Sequence, residues 1–425
     1  MMQHQIYYPE DRLPLRKLIP MGIQHVVAMF GATVLAPILM GFNPQVAVFF
    51  SGIGTLLFLV ITRFKVPSYL GSSFAFIGPV LAVTAGDAAR IPEALFGIAG
   101  AAVLYALAGA ATIRWGSGWI DRLMPPVVTG TVVAIIGLNL ATSSMSNVVN
   151  DSFSIRGGAD LMMFAVAMVT FFTAALVSIF LRGFIRLLPI LVGVIVGYGV
   201  AAAAGLLDPA ALAAVGAAAW LGLPQFHAPA VSWHAVLVIA PVFVVLVAEN
   251  KGHIAAISGY MHRDLNPHLG RAYLGDAVAT FVSAMGGGTP QTTYAENMGV
   301  MAITKVFAIG NFVVASGVAI LMGLCPKFGA VIQSIPKPVL GGVTLILYGL
   351  IVLMGVKIWV DAKVDFADHR NLVVAGASLI VATGLGTRGL TVYGLNLAGI
   401  AIGTVLAIAL YLLLNAGAAG RPPAE

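Results

Sequence analysis

The stretch GTPQTTYAENMGVMAIT, from Gly288 to Thr304, changes character part of the way along. Its first half is polar and favours extended chain, and its second half is an apolar run typical of a helix. A single carboxylate, Glu296, lies where the two halves meet. The stretch therefore predicts a short strand that leads directly into a helix, with an acidic group at the junction.

The rest of the chain is strongly apolar. Of its 425 residues, 60% are hydrophobic and 9% are charged, whereas a soluble domain carries about 25% charged residues. Many of the apolar runs approach the roughly 20 residues that cross a bilayer as a helix. The composition therefore predicts an all-α polytopic membrane protein, with the lipid bilayer as its surroundings.

Several other classes of protein do not fit this composition. The single cysteine, Cys325, excludes a disulfide framework and a multi-cysteine metal site, and we expect neither a metal nor another cofactor. The basic residues are scattered singly between apolar runs, so the net charge of +6 indicates membrane topology and no nucleic-acid partner. An intramembrane hydrolase would need a nucleophile and base or a motif such as HExxH. His253 has no metal-ligand partner at that spacing, so we do not expect an enzyme.

Fourteen transmembrane segments are predicted, seven on each side of an Ala-rich loop at 207–233 that we expect to be extracytoplasmic. They lie at 18–41, 45–62, 67–87, 93–113, 125–147, 161–181, 187–206, 235–257, 270–286, 290–306, 308–325, 336–356, 369–386 and 396–415. With this count, the 22 basic residues concentrate in the loops on the side of the N-terminus, which is the positive-inside bias. We therefore expect the inner membrane, with both termini cytoplasmic.

The two halves of the chain resemble each other at two places. The matching openings are PPVVTG at 125–130 with PKPVLGG at 336–342, and VPSYLGSSF at 66–74 with TPQTTYAEN at 289–297. Aligning Pro67 with Pro290 places Ser73 on Glu296. Because seven is odd, the second copy lies upside down relative to the first. The pattern predicts a 7+7 inverted repeat, the architecture of many secondary transporters.

Segments three and ten each combine an extended start with a short helix. Backbone polar groups cannot stay unsatisfied in lipid, so we expect the extended pieces to pair as two short antiparallel strands at the membrane midplane. Each strand would lead into a half-helix whose free N–H groups point at the centre. A carboxylate at that depth costs several kcal/mol, so Glu296 is predicted to be functional. Ser73 is a further candidate through the alignment above.

Segment eight supplies a second acidic candidate within APVFVVLVAENKGHIAAISG. Glu249 and His253 are four residues apart and hence lie on one helical face. They either satisfy each other inside the bundle or face the substrate and carry protons. A buried ion pair is weak evidence for stability, which favours the functional interpretation. Lys251 points elsewhere on the helix and is expected to reach the inner surface.

Four more polar residues lie inside predicted segments. Gln24 and His25 are interpreted as hydrogen-bonding contacts between helices, with a binding role as the alternative, and Asp276 as structural. Tyr348 is the large polar group on the glycine-rich face of segment twelve and is a candidate substrate contact. Segments five and twelve are expected to face the substrate, and that face and the similar face of segment five, GTVVAIIG, are expected to slide against the rest of the protein.

Four motifs place these residues in a family context: QHVVAMFGATVLAP at 24–37, VPSYLGSSFAF at 66–76, AENKGH at 248–253 and TPQTTYAENMGVMAITKV at 289–306. Over essentially the whole chain, the sequence resembles the nucleobase–ascorbate transporter family, specifically its bacterial uracil permeases. The resemblance implies a proton-coupled symporter in which Glu249 and Glu296 bind the base and His253 assists. It also implies binding by the backbone amides of Phe74 and Ala295. The family's uracil permeases carry glycine where this chain has Ala295, so the added methyl group bears on the substrate range.

The resemblance also implies two domains. The core domain would comprise 1–117 and 234–330, and the gate domain 118–206 and 331–416, with a cytoplasmic tail at 417–425. We further expect a homodimer formed through the gate domain.

The chemistry of the ligand agrees with these residues. The imide edge of uracil presents an acceptor, a donor and an acceptor, which suits a carboxylate flanked by N–H groups. Two carboxylates in one low-dielectric cavity do not easily both stay ionised, which favours protons as the coupling ion. Within the family, a xanthine or urate permease is the alternative. Transporters of sulfate or bicarbonate share this fold, but twin carboxylates would repel an anion, and a purely structural protein leaves both glutamates unexplained.

Overall fold

The computed structural model describes residues 6–149, 154–183, 185–393 and 395–416. The predicted tail at 417–425 lies outside the described residues. The described part of the first half contains one strand, β1 (Leu70–Ser72), and helices α1 (Leu15–Met40), α2 (Pro44–Ile61), α3 (Ile77–Thr84), α4 (Ile91–Trp115), α5 (Gly118–Leu123), α6 (Pro126–Asn139), α7 (Ala141–Val148), α8 (Gly158–Phe180), α9 (Pro189–Ala203) and α10 (Pro209–Ala217).

The second half begins with helices and ends with a hairpin and one more helix. Its elements are α11 (Trp233–Ile239), α12 (Phe243–Met261), α13 (Leu269–Met285), β2 (Gln291–Thr293), α14 (Ala295–Thr304), α15 (Ile309–Gly323), α16 (Pro326–Gln333), α17 (Lys337–Asp361), α18 (His369–Leu385), β3 (Leu390–Val392), β4 (Leu395–Leu397) and α19 (Gly399–Ala416). Short 3-10 turns lead into α3, α4, α12 and α13.

The chain is a mostly helical, multi-span membrane protein. Eight helices in the described ranges are long and apolar enough to cross a membrane. A ninth span results if α15 and α16, which meet at a bend of 79°, are counted together. Every predicted segment coincides to within a few residues with one helix, with two consecutive helices (segments five and eight), or with a strand followed by a helix.

Local sequence explains where several helices begin and end. Proline occupies the first turn of α2, α6 and α9, where its missing N–H has no helical partner to lose. The Asn43 side chain accepts a hydrogen bond from the Gln45 N–H at 2.9 Å and caps α2. Gly41 ends α1 with φ of 79°, a left-handed conformation that glycine adopts at little cost. Consequently only three residues, 41–43, separate α1 from α2.

The strands β1 and β2 pair antiparallel, and both are fully buried. Leu70 lies opposite Thr293, and Ser72 lies opposite Gln291. A two-stranded sheet leaves two outer edges, and here a threonine hydroxyl covers each of them. Thr55 of α2 accepts from the Leu70 N–H at 2.9 Å, and Thr280 of α13 accepts from the Gln291 N–H at 3.0 Å. These bonds satisfy buried backbone groups that neither water nor a third strand reaches.

The structure corrects the alignment of the two halves. β1 begins at Leu70 and its helical continuation at Phe74, whereas β2 begins at Gln291 and α14 at Ala295. Equivalent positions therefore pair Ser73 with Tyr294, and the alignment of Ser73 with Glu296 is wrong by two residues. The prolines misled it, because Pro67 is separated from its strand by Ser68 and Tyr69, whereas Pro290 directly precedes β2.

Four structured regions were not predicted. The Ala-rich loop at 207–233 contains helix α10, consistent with the high helix propensity of alanine. The hairpin of β3 and β4 occupies the region before the last segment. Helices α5 and α16 are too short to give a recognisable apolar period. All four regions lie between predicted segments, except that β4 overlaps the first two residues of the last segment.

The helices pack mostly within two groups. In the first group, α4 packs on α13, and α2 packs on α13 and α15; in the second, α17 packs on α6 and α8, and α18 packs on α6 and α19. The groups meet where α12 contacts α6 and where α1 contacts α9.

The glycine-rich faces of segments five and twelve do not lie between the groups. A side chain at Gly130 would collide with Trp359 and with the Gly355 carbonyl of α17, and one at Gly342 would collide with Ala167 of α8. The prediction that these faces slide against the rest of the protein is therefore wrong, because they pack helices of one group together. Between the groups, the close approach is at Gly31, which lies against Ile190.

Candidate binding site

A cavity of about 390 Å³ lies where the two helix groups face each other. One wall comes from α1, α12, β2 and the start of α14, and the other from α6, α9 and α17. Its lining is mostly apolar, including Val133, Ile136, Leu347 and Ile351. An apolar cavity with few convergent polar groups is the usual form of a small-molecule site.

Both predicted glutamates line this cavity. Glu249 comes from the middle of α12 and Glu296 from the first turn of α14, directly after β2. The Glu249 Oε2 atom is buried without a hydrogen-bond partner among the described residues. Neither carboxylate forms an ion pair with a described basic side chain. A buried acceptor that the protein leaves unpaired is costly unless a ligand or a proton satisfies it.

His253 also lines the cavity, one helical turn from Glu249. Its Nδ1 atom lies 2.8 Å from the Thr293 hydroxyl of β2. That bond links α12 to the strand and fixes the orientation of the ring. A mutually satisfied Glu249–His253 pair is not among the hydrogen bonds of the described residues, so the first of the two interpretations of this face is not supported.

The remaining predicted contacts divide into two pairs. Phe74 and Ala295, the first residues of the two helices that follow the strands, line the cavity. Among the described residues, the lining does not include Ser73 or Tyr348. The Ser73 N–H donates to the Pro290 carbonyl at 2.8 Å, so this amide is occupied. Tyr348 is buried behind the wall, with its ring edge-to-face with Phe74 at 6.3 Å.

A second cavity of about 780 Å³ shares Glu249, His253 and Ala295 with the first. It is lined further out by Lys251, Tyr260 and other residues of α12 and α17. The two cavities therefore adjoin at these residues, and the second continues along α12 past Lys251 to Tyr260.

The side chain of Lys251 bridges two elements beside the second cavity. Its Nζ atom lies 2.6 Å from the Asp121 carboxylate of α5 and 3.3 Å from the Met124 carbonyl. Lys251 is therefore held at α5 by a carboxylate, and its reach to the inner surface stays a prediction.

His25 connects two helices behind the site. The Asn297 side-chain amide contacts both the His25 ring Nδ1, at 3.1 Å, and the His25 carbonyl, at 3.0 Å. The His25 ring also packs on Phe312. These contacts hold α14 against α1 and α15 and support the interpretation of His25 as an interhelical contact. Gln24 is half-buried and does not line the cavity described above.

Asp276 lies outside the cavity and is completely buried. Its carboxylate accepts a hydrogen bond from the side-chain amide of Asn250, the neighbour of Glu249. The contact joins α13 to α12 at the level of the site. This position favours the structural interpretation of Asp276.

Replacing Asp276 by alanine should lower the free energy of unfolding by about 1–3 kcal/mol, because it leaves the buried Asn250 amide unpaired. The measurement is the thermal unfolding midpoint of the purified protein in detergent. Asp276→Asn keeps an acceptor oxygen and serves as the matched control. An unchanged midpoint in Asp276→Ala would show that the contact contributes nothing to stability.

Sequence reasoning missed the hydroxyl groups around the strands. Thr292 and Thr293 line the cavity, and the Tyr294 hydroxyl donates to the Ser72 carbonyl at 3.0 Å. Polar residues in an apolar chain were the available signal, but their roles depend on the pairing of two distant strands. Within the described residues, no group of three His, Cys, Asp or Glu side chains could hold a metal ion.

The fold is that of known membrane transporters. The transmembrane domain of a cyanobacterial bicarbonate transporter, BicA, matches 96% of this chain and 100% of its own length, with a TM-score of 0.63 and 13% identity. The murine anion transporter Slc26a9 in its inward-facing state matches 96% of this chain and 70% of its own length, with a TM-score of 0.65 and 12% identity. At such identities the likeness concerns the fold alone.

Sequence comparison identifies relatives at much higher identity. RutG of Escherichia coli strain K12, classed by its name as a pyrimidine permease, is 46% identical over 98% of this chain and 94% of its own. The uracil permease of Bacillus caldolyticus is 40% identical over 98% of this chain and 95% of its own. The uracil permease of Escherichia coli strain K12 is 38% identical, with coverages of 97% and 94%.

A model of the permease family matches residues 16–389. That match covers most of the chain, and the relatives named above cover 97–98% of it. The chain is accordingly a transporter and not an enzyme, and it belongs to the nucleobase–ascorbate transporter family of permeases, alongside the bacterial uracil permeases.

Proposed function

We propose that this protein imports uracil across the cytoplasmic membrane together with protons, by alternating access. The observation that carries the proposal is the cavity itself. Glu249, Glu296 and His253 converge there with the starts of two helices, and the Glu249 Oε2 atom has no partner among the described residues. Such a site offers hydrogen-bond acceptors, N–H donors and titratable groups, and it requires no other cofactor.

Uracil fits the chemistry of these groups. Its imide edge offers an N–H that a carboxylate accepts, and its two carbonyl oxygens accept hydrogen bonds from backbone amides at Phe74 and Ala295. The half-helix beginning at Ala295 directs its N-terminal partial positive charge at the same place. A neutral, flat and polar ligand needs several such bonds to offset its desolvation.

The printed names of the relatives favour pyrimidines. Two of the three relatives described above are uracil permeases, and the third is classed by name as a pyrimidine permease. They do not favour the alternative, a xanthine or urate permease. The choice is tested by measuring uptake of radiolabelled uracil and of radiolabelled xanthine into cells that lack their own permeases. Uptake of xanthine without uptake of uracil would contradict the proposed substrate.

We place this site within a 7+7 inverted repeat of fourteen spans, with β1 and β2 at the membrane midplane. The helices support this arrangement because they coincide with the predicted segments. The covering of both outer strand edges by threonines from α2 and α13 supports it too, since these helices correspond to segments two and nine. Both termini would then be cytoplasmic.

The two helix groups correspond to the proposed domains, a core of 1–117 and 234–330 and a gate of 118–206 and 331–416. The predominance of contacts within each group supports the division. The gate would rock against the core around the cavity, and two protomers would associate through their gate domains. The path past Lys251 would open the site to the cytoplasm, on the side where the basic loops lie.

Uracil uptake should persist in sodium-free buffer and collapse when a protonophore is added. The reason is that the cavity offers titratable carboxylates, whereas Na⁺ would need a cluster of oxygen ligands. Uptake is measured with radiolabelled uracil in whole cells, with potassium replacing sodium. Uptake that requires sodium and ignores the protonophore would show that protons are not the coupling ion.

A further inference from the structure

A third cavity, of about 540 Å³, lies apart from the binding site. It is enclosed by the end of α2, the end of α4 and the 3-10 turn that leads into α13. Its lining contains four side chains that carry or can carry positive charge, namely Arg63, Lys65, His268 and Arg271. The remaining lining residues are small, polar or apolar, and none of them is acidic.

The positive charges of this cavity are poorly neutralised by the protein. Arg63, Lys65 and Arg271 form no ion pair within the described ranges. Two carboxylates lie in the neighbourhood, and both are engaged. Glu10 is held by Arg263 at 2.6 Å, and Asp264 accepts from the Asn266 N–H at 2.9 Å.

The electrostatics of His268 indicate how closely the cations are grouped. Partial burial and the nearby charges of Arg271 and Lys65 lower the pKa of His268, and Asp264 opposes this only weakly. The protein therefore concentrates like charges from three separate elements around one cavity, an arrangement that repels itself unless an anion occupies it.

The rim of the cavity is apolar and exposed. Phe64, between Arg63 and Lys65, is 50% exposed, Ile113 is 52% exposed, and Trp115 at the end of α4 is 76% exposed. Exposed aromatic residues at the ends of membrane helices are typical of the level of the lipid headgroups. A basic cavity bordered by such residues can bind a charged headgroup while the rim contacts its acyl chains.

We infer that this cavity binds the phosphate-bearing headgroup of an anionic phospholipid. Arginine presents a planar fork of donors that matches phosphate oxygens, and lysine adds a point charge. Basic pockets between membrane helices on the cytoplasmic side are suited to anionic headgroups. The cytoplasmic leaflet follows from the proposed orientation, but binding itself depends neither on that orientation nor on the identity of the transported substrate.

The site joins three helices of one group. α4 and α13 cross closely where Gly109 meets Gly270, directly beside the cavity, and α2 packs on α13. A bound headgroup would neutralise the repulsion between the ends of these helices and stabilise their crossing. The full chain should therefore unfold at a higher temperature when phosphatidylglycerol is present than when phosphatidylcholine is present.

The test is a native mass spectrometry titration of the detergent-solubilised full chain with phosphatidylglycerol. The double variant Arg63→Gln/Lys65→Gln should weaken binding of the first lipid about thirtyfold, since each basic group near a membrane surface contributes roughly fivefold. Phosphatidylcholine binding should not change. The matched control is Arg122→Gln/Lys363→Gln, which removes one Arg and one Lys from exposed positions outside the cavity and should leave phosphatidylglycerol binding within about twofold of the wild type.

Three results would overturn the inference. Equal weakening of phosphatidylglycerol binding in the cavity and control variants would show that the effect comes from net charge alone. Equal binding of phosphatidylcholine and phosphatidylglycerol would remove the role of the anionic headgroup. Displacement of the lipid by inorganic phosphate at the same concentration would make the cavity a site for free anions. If the double variant does not fold, Arg271→Gln alone should weaken phosphatidylglycerol binding about fivefold.

Discussion

Glu249→Ala and Glu296→Ala should each abolish measurable uracil binding. Both carboxylates line one cavity and have no ion-pair partner among the described residues, so we expect each of them to pair with the ligand. Removing one leaves a polar ligand group buried and unmatched. That costs about 1–3 kcal/mol or more for a charged partner, which is on the order of tenfold to a hundredfold or more in affinity.

The measurement is isothermal titration calorimetry of the purified variants with uracil. Glu93→Ala is the matched control, because Glu93 lies on α4 in a partly exposed pair with Arg90, outside the binding cavity, and should bind like the wild type. Wild-type affinity in Glu249→Ala or Glu296→Ala would remove that residue from the site. Equal thermal unfolding midpoints would show that lost binding does not reflect lost folding.

Glu249→Gln should lose proton-driven accumulation more severely than it loses binding. Glutamine keeps the size of the side chain and can still hydrogen-bond to the base, but it cannot take up or release a proton. Glu249 is the stronger candidate for the proton carrier because its Oε2 atom is buried without a partner, and a proton or a ligand must satisfy it.

Two readouts separate the roles. Uracil affinity is measured on purified Glu249→Gln, and concentrative uptake is measured in vesicles with and without an imposed pH gradient. The variant should exchange uracil across the membrane but no longer accumulate it in response to the gradient. Accumulation at the wild-type level would assign the proton to another group, with His253 the next candidate because it lies one turn away and bonds to Thr293.

The helices could be predicted because the bilayer imposes a simple rule on the sequence. Long apolar runs separated by basic loops define the segments, and the described helices follow them closely. Glu249 and Glu296 could be predicted for the same reason, since an isolated carboxylate is conspicuous in so apolar a chain. Their convergence on one cavity could be expected only through the repeat and the family resemblance.

Features that depend on tertiary packing were harder to predict. The alignment of the two halves was wrong by two residues because it matched Pro67 with Pro290. A proline permits a strand to begin nearby, but it does not determine the first residue of that strand. The glycines at 130 and 342 were assigned to a sliding face, but glycine permits any close helix contact, and the sequence does not show which neighbour makes it. Tyr348 was placed on the correct helix but lies one layer behind the cavity wall.

The strand edges covered by Thr55 and Thr280 bear on how a ligand is oriented. The same hydroxyl contact occurs at the first residue of each strand, Leu70 and Gln291, so the strand pair beside the cavity has an approximate twofold axis. Against this framework alone, a flat molecule would have two poses of equal energy, related by half a turn. The side chains make the two poses unequal in energy, because the position occupied by Glu296 in one half is occupied by Ala75 in the other. We therefore expect the duplicated framework to supply position without direction, and the two carboxylates that line the cavity to determine which edge of the ligand faces which half of the protein.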